Sequence, residues 1–188
     1  MLYHFFKRLF DIVFSLFVLI FFSPFLVVVS LIVFLQDGGS IIFKQKRIGI
    51  REKGFIFYKF RSMPTSTPNV TSTKKNQIQI TPFGKFIRRT NIDELPQFIN
   101  VLKGEMSVIG PRPTIPSQKK LIKMRKNNGS INIKPGLTGW AQVNSYDNMP
   151  ELEKAKYDGE YLKRMSIKLD LIIIFKTILY FTKKPPTY

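Results

Sequence analysis

Residues 12–35, IVFSLFVLIFFSPFLVVVSLIVFL, carry no charge and are broken near their centre by Ser23-Pro24. A bilayer core of roughly 30 Å takes about 20 helical residues, so this run is long enough to cross one. The proline argues against a plain crossing. It removes a helical hydrogen bond and clashes with the preceding turn, at about 3 kcal/mol or more in water. In lipid the freed carbonyl needs a new donor, and Ser23 stands next to the break. A bend there predicts two arms of roughly 12 residues, each about 18 Å long, and neither crosses alone. The expected form is a hairpin that dips into one leaflet and returns. A kinked single span is the alternative.

The flanks favour the hairpin. Lys7 and Arg8 precede the run, and Lys44, Lys46 and Arg47 follow it. Cytoplasmic flanks gather Lys and Arg, and a re-entrant hairpin keeps both basic clusters on that side. A cleavable signal peptide is disfavoured by the length of the run and by the lack of a small-residue cleavage site.

Beyond residues 1–36 there is room for one globular domain, 37–188. With 30 Lys and Arg against 12 Asp and Glu, the formal charge is +18, which implies anionic lipid headgroups, nucleic acid or phosphorylated substrates as partners. There is no cysteine, which excludes disulfides, thiol nucleophiles and thiolate metal sites. The single histidine, His4, precedes the apolar run, where an interfacial role is the simpler reading. Any catalysis must therefore use carboxylates, hydroxyls, Lys, Arg, Tyr or a metal.

The pattern along the chain predicts a helix-rich α/β (α+β) domain without repeats. Residues 41–48 and 55–61 read as short strands around a turn from Gly49 to Gly54, and 64–80 as a mobile surface loop. A short basic helix is expected at 83–89. Asn91 or Asp93 is placed to cap a helix that runs to about Lys103 and stops at Gly104; with Asp93 as the cap, Pro96 falls in its first turn. Basic and charged helices are expected at 116–128 and 150–164, with a Pro/Gly loop between them. Residues 167–182 read as a helix lying at the membrane surface or packed on the domain.

Three features can carry chemistry. Asp93-Glu94 is the only adjacent acid pair, with Arg88 and Arg89 just upstream. A helix N-terminus and these cations would keep the aspartate ionised, fit to attack phosphorus or to bind a metal. In Gly110-Pro111-Arg112-Pro113 two prolines stiffen the backbone around one arginine, whose fork matches phosphate oxygens. Lys59 and Arg61 alternate in a strand, which would put both on one face. The blander readings are an acidic helix start, a rigid turn and a solvated strand edge. The turn Pro135–Trp140 offers backbone N–H groups to an anion, a weak signal by itself.

In order, the chain shows Lys7-Arg8, Asp11, Ser23-Pro24, Tyr58-Lys59-Phe60-Arg61, Asp93-Glu94-Leu95-Pro96-Gln97 and Asn100–Gly104. Gly110-Pro111-Arg112-Pro113, Pro135-Gly136, Thr138-Gly139, Gln142-Val143, Tyr157-Asp158 and Tyr161 complete the series. Across roughly residues 5–182 this series resembles the bacterial sugar transferases known as monotopic phosphoglycosyl transferases, most closely their small members. No four-span N-terminal extension precedes the run, so the expectation is the minimal catalytic form. The resemblance implies transfer of a sugar-1-phosphate from a UDP-sugar to undecaprenyl phosphate with release of UMP. It makes Asp93 the nucleophile of a ping-pong course, with Glu94 helping to hold Mg²⁺ beside it. It implies phosphate contacts for Lys59, Arg88 and Arg112, and a nucleotide or sugar contact for Gln142. It places the protein on the cytoplasmic face of the bacterial inner membrane, among anionic lipids and downstream glycosyltransferases. Two departures stand out. Relatives often read QVNGR where this chain has Gln142-Val143-Asn144-Ser145-Tyr146, and the tail ends soon after Lys184. The sugar is not named by the sequence. A membrane-tethered nucleic-acid binder and a non-catalytic scaffold remain as rival classes, and neither accounts for the acid pair followed by the rigid arginine turn.

Overall fold

The computed structural model describes residues 2–65, 67, 80–144 and 149–181. Most of the expected surface loop at 64–80, the Ser145-Tyr146 departure and the end of the tail lie outside these residues.

The apolar run folds as two helices, α1 (Leu2–Phe21) and α2 (Ser23–Leu35), bent by 63° at Phe22. Pro24 lies in the first turn of α2, and Ser23 Oγ donates to the Ile20 carbonyl at 2.8 Å. That carbonyl is the i−4 acceptor Pro24 cannot serve, so the serine fills the gap the proline opens. The arms are unequal, 20 and 13 residues, because α1 begins well before the apolar run. Among the described residues no single helix is long and apolar enough to cross a membrane.

The surface of α1 is inverted relative to an ordinary globular helix, and α2 is apolar on both its buried and its exposed faces. The buried stripe of α1 is Asp11, Ser15 and Val18 at i, i+4 and i+7, whereas Val13, Leu16, Phe17, Ile20 and Phe21 are exposed. Asp11 Oδ1 accepts from Ser107 Oγ at 3.0 Å and from the Val108 N–H at 2.8 Å. Arg8 donates to the carbonyls of Val101 and Leu102 at 2.6 and 2.8 Å. The second and third turns of α1 are thereby bolted to the domain.

Strands β1 (Ile42–Ile48) and β2 (Gly54–Phe60) form an antiparallel hairpin in which Gln45 faces Phe57. Phe55 and Phe57 enter a core with Val18, Phe98, Val101, Met106 and Tyr161. A smaller cluster joins Phe60 to Val29, Val33 and Ile87 under α2. Helix α3 (Pro82–Arg89) starts at Thr81, whose Oγ1 accepts from the Gly84 N–H at 2.9 Å. Helix α4 (Gln97–Lys103) ends at Gly104 with φ +80°, as the sequence predicts, and packs on α1. Its buried Asn100 donates to the Ile56 carbonyl at 2.7 Å, tying α4 to β2.

The expected Pro/Gly loop is more ordered than its composition suggests. β3 (Ser107–Ile109) pairs in parallel with β4 (Gly136–Thr138), and α6 (Trp140–Asn144) follows at once. Gly110 and Gly136 permit this contact: a Cβ on Gly136 would lie 2.1 Å from the Gly110 nitrogen. Helices α5 (Lys119–Asn127) and α7 (Glu151–Arg164) pack together, and α8 (Ile167–Phe181) is the last of the described elements. Asp170 of α8 accepts from Tyr3 at 2.9 Å, from Lys7 at 2.8 Å and from Tyr161 at 2.7 Å, tying α1, α7 and α8 together. The molecule is thus a helix-rich α/β mixture with two small sheets.

Candidate active site

The acid pair does not cap a long helix. Asn91 takes a left-handed conformation (φ +54°), and Ile92–Glu94 form a separate 3-10 turn. Asparagine tolerates that region better than most residues. The turn carries Asp93 and Glu94 to the end of β2, and α4 starts only after Pro96. Pro96 therefore stands at the cap of α4 rather than inside its first turn.

Lys59, on β2, meets both acids: its Nζ is 2.7 Å from Glu94 Oε1 and 3.4 Å from Asp93 Oδ2. Arg112 grips Glu94 with its fork, Nη1 to Oε2 at 3.3 Å and Nη2 to Oε1. Glu94 is thus spoken for on both oxygens, while Asp93 shares only a long contact. Arg88 joins from α3, where its Nε donates to Ser62 Oγ at 2.7 Å, and its charge acts on Asp93. The structure brings together Asp93, Glu94, Lys59, Arg88 and Arg112.

Burial decides the electrostatics of Asp93, which is 4% exposed. It raises the Asp93 carboxyl above its ordinary pKa, aided by the negative Glu94 and opposed by Lys59 and Arg88. The expected helix-end field does not win. Burial also pushes Glu94 upward, but Arg112 and Lys59 outweigh it and hold that carboxyl far below the usual range. The two neighbours are driven apart: one firmly ionised, the other poised.

One expectation fails at this site, and a second loses one of its donors. Arg61 does not share Lys59's face but pairs with Asp37 and donates to the Val33 carbonyl at 3.2 Å, capping α2. The Pro135–Trp140 turn has little to offer an anion at Gly136, whose N–H donates to the Pro111 carbonyl at 2.9 Å. Gln142 lies on α6 beside Gly139, and among the described residues neither its Oε1 nor its Nε2 has a hydrogen-bond partner though both are buried. Such orphaned amide atoms are costly unless a ligand meets them.

Sequence reading missed Arg47. Its Nη1 donates to the Pro113 carbonyl at 3.1 Å, and its guanidinium lies over the Phe57 ring at 5.0 Å. Burial and the nearby Arg112 charge, opposed by Glu94, bring its pKa down to about 10. Nothing local in the KQKRIG stretch separates Arg47 from its exposed neighbours Lys44 and Lys46.

Among the described residues no three acidic or imidazole side chains converge on one point, so a cage built by protein alone is absent there. Each carboxylate oxygen accepts twice, so Asp93 and Glu94 Oε2, which meets Arg112 at 3.3 Å, keep capacity for Mg²⁺, which is commonly held by one or two carboxylates together with substrate phosphates and water. The arrangement is therefore a buried carboxylate ringed by cations, a chemistry compatible with phosphate.

The chain belongs to the bacterial sugar transferase family, whose model matches residues 2–184. It is 42% identical over 182 residues to UDP-glucose:undecaprenyl-phosphate glucose-1-phosphate transferase of Klebsiella pneumoniae, covering 92% of this chain and 39% of that protein. It is 36% identical over 187 residues to UDP-N-acetylgalactosamine-undecaprenyl-phosphate N-acetylgalactosaminephosphotransferase of Aeromonas hydrophila, covering 94% and 44%. It is 37% identical over 172 residues to the uncharacterized sugar transferase EpsL of Bacillus subtilis, covering 92% and 85%. The chain thus spans about two fifths of the length of the first two of these relatives.

Proposed function

We propose that the protein transfers a sugar-1-phosphate from a UDP-sugar to undecaprenyl phosphate and releases UMP, through a covalent phosphosugar on Asp93. The observation that carries this reading is the pairing of a buried, partly neutralised Asp93 with Glu94, Lys59 and Arg112. An Asp93 oxygen attacks the β-phosphorus, the bond from that phosphorus to the bridging oxygen breaks, and UMP leaves with the electron pair. A lipid phosphate oxygen then attacks the same phosphorus and frees the Asp93 carboxylate. No elaborate acid–base group is required, since phosphoryl transfer depends chiefly on positioning and charge neutralisation. Lys59, Arg88 and Arg112 neutralise the diphosphate, and Gln142 gives its orphaned amide to the nucleotide or the sugar. Mg²⁺, held by Asp93 and Glu94 with the donor phosphates, would supply further charge neutralisation.

The bent helix pair supports a membrane location for this chemistry. The exposed apolar faces of α1 and α2 fit a re-entrant insertion from the cytoplasmic face of the bacterial inner membrane, with both ends of the helix pair on that face. α8 exposes Ile167, Leu171, Phe175 and Ile178 and suits the same interface, beside anionic headgroups attracted by the +18 charge. The product would then enter membrane-linked glycan assembly by downstream glycosyltransferases.

The test is UMP release from a panel of UDP-glucose, UDP-GlcNAc and UDP-GalNAc with undecaprenyl phosphate, with and without Mg²⁺ or EDTA. Turnover with one donor that stops with EDTA and in Asp93→Asn supports the reading and names the sugar. Folded protein that is silent with every donor contradicts it.

A further inference from the structure

Arg112 sits between two prolines, neither of which has an N–H to donate. The segment is instead held by its carbonyls, and four in a row are held. Pro111 O accepts from Gly136 N at 2.9 Å and Thr114 O from Ile48 N at 2.8 Å. Between them, Arg112 O accepts from Arg125 Nη1 at 2.9 Å and Pro113 O from Arg47 Nη1 at 3.1 Å. The two inner anchors are arginine side chains, brought from β1 and α5.

Arg125 is 5% exposed and divides its fork. Its Nε and Nη2 lie 2.8 and 2.7 Å from Asp158 Oδ2, which leaves Nη1 for the Arg112 carbonyl. Asp158 is itself 1% exposed. Burying an ion pair costs desolvation that its attraction scarcely offsets, so apolar packing would stabilise this spot as well. What the pair supplies is direction: a rigid planar donor aimed at one carbonyl, which a lysine cannot reproduce. Arg47 makes no ion pair among the described residues and is held by the Phe57 ring and Pro113 alone.

We propose that Arg125, set by Asp158, and Arg47 are positioning residues that fix the Arg112 guanidinium for the donor diphosphate by clamping the carbonyls of the Pro111–Thr114 strap. This rests on the proposed function, in which Arg112 meets that diphosphate. Misplacing a binding group by about 1 Å costs on the order of 100-fold in rate, so the clamp has a measurable consequence.

The test is a double-mutant cycle on full-length protein with Arg125→Lys, Arg112→Lys and both together. It reads kcat and KM for UMP release, the Kd for UDP, and thermal melting. Arg125→Lys keeps the charge beside Asp158, yet one ammonium cannot serve both partners. It is expected to lower kcat/KM by about 10- to 100-fold. In the Arg112→Lys background the same change is expected to cost no more than about twofold, because it has nothing left to position. Losses that multiply in full overturn the proposal. If turnover of Arg112→Lys falls below detection, UDP affinity carries the same cycle, with the same two outcomes. If Arg125→Lys does not fold, Arg47→Gln on β1 replaces it and must show the same non-additivity. An Arg112→Lys protein with unchanged kcat/KM and Kd overturns the underlying reading as well. A damaged Arg112→Lys protein with multiplying losses leaves that reading standing and removes only the clamp.

Discussion

Lys59 Nζ stands 3.4 Å from Asp93 Oδ2, near enough to neutralise the carboxylate and too far to tie it down. The same ammonium is 2.7 Å from Glu94, so Glu94 fixes the lysine and leaves Asp93 uncommitted. Lys59→Met removes that shared counter-charge. The expected outcome is a fall in kcat of about 100-fold, typical for the loss of one preorganised charge. Steady-state UMP release beside a melting curve checks it, since an inactive protein that still melts cooperatively separates chemistry from folding.

The pH profile should show the burial of Asp93. Burial raises its pKa, so the acidic limb of kcat/KM is expected above the ordinary Asp value of about 3.9. Glu94 pushes in the same direction, so Glu94→Gln moves the limb to lower pH. Lys59 pulls the other way, so Lys59→Met moves it to higher pH. Opposite displacements in pH–rate profiles support Asp93 as the titrating group; a limb fixed in both variants assigns it elsewhere.

Asp11 is expected to matter for stability, although it is not among the residues gathered around Asp93. It is buried and accepts from Ser107 and the Val108 N–H. Asp11→Ala leaves the Val108 donor without that partner at a cost of about 1–3 kcal/mol. For a chain of this size that is a drop of roughly 2–12 °C in Tm. Thermal denaturation in detergent measures it, and an unchanged Tm would dissolve the idea that α1 is bolted through Asp11.

Pro24 governs the bend. Pro24→Ala restores the missing N–H for the Ile20 carbonyl and makes Ser23 redundant there. A straighter helix of α1 and α2 together is long enough to span, so residues at its two ends should move to opposite faces. The chain has no cysteine, so single cysteines introduced at Leu2 and Gln36 can be labelled from one side of sealed vesicles. Equal labelling in the parent and unequal labelling in Pro24→Ala is the expected outcome.

What the sequence made legible was local. Ser23 answering Pro24, Gly104 ending α4 and the β1–β2 hairpin each depend on a few neighbouring residues with fixed backbone preferences. Asp93, Glu94, Lys59, Arg88 and Arg112 were recognisable as candidates, and the fold gathers them. The 3-10 turn at Asp93 was hidden because Asn91 reads equally well as a helix cap or a left-handed turn residue. Strands β3 and β4 are three residues each, too short to show a period. Arg61 looked equivalent to Lys59 by alternation, yet β2 ends at Phe60 and Asp37 takes it. Arg47, Arg125 and Asp158 act over separations of 33 to 66 residues or through backbone carbonyls, and no spacing rule reports such contacts.

The most direct measurement is the mass of the protein after rapid mixing with the cognate UDP-sugar and quenching, without lipid acceptor. The account predicts an increase of one phosphosugar, localised by peptide mapping to Asp93, absent in Asp93→Asn and discharged when undecaprenyl phosphate is added. UMP release that requires the lipid in the same step, with no adduct at any time after mixing, would contradict it.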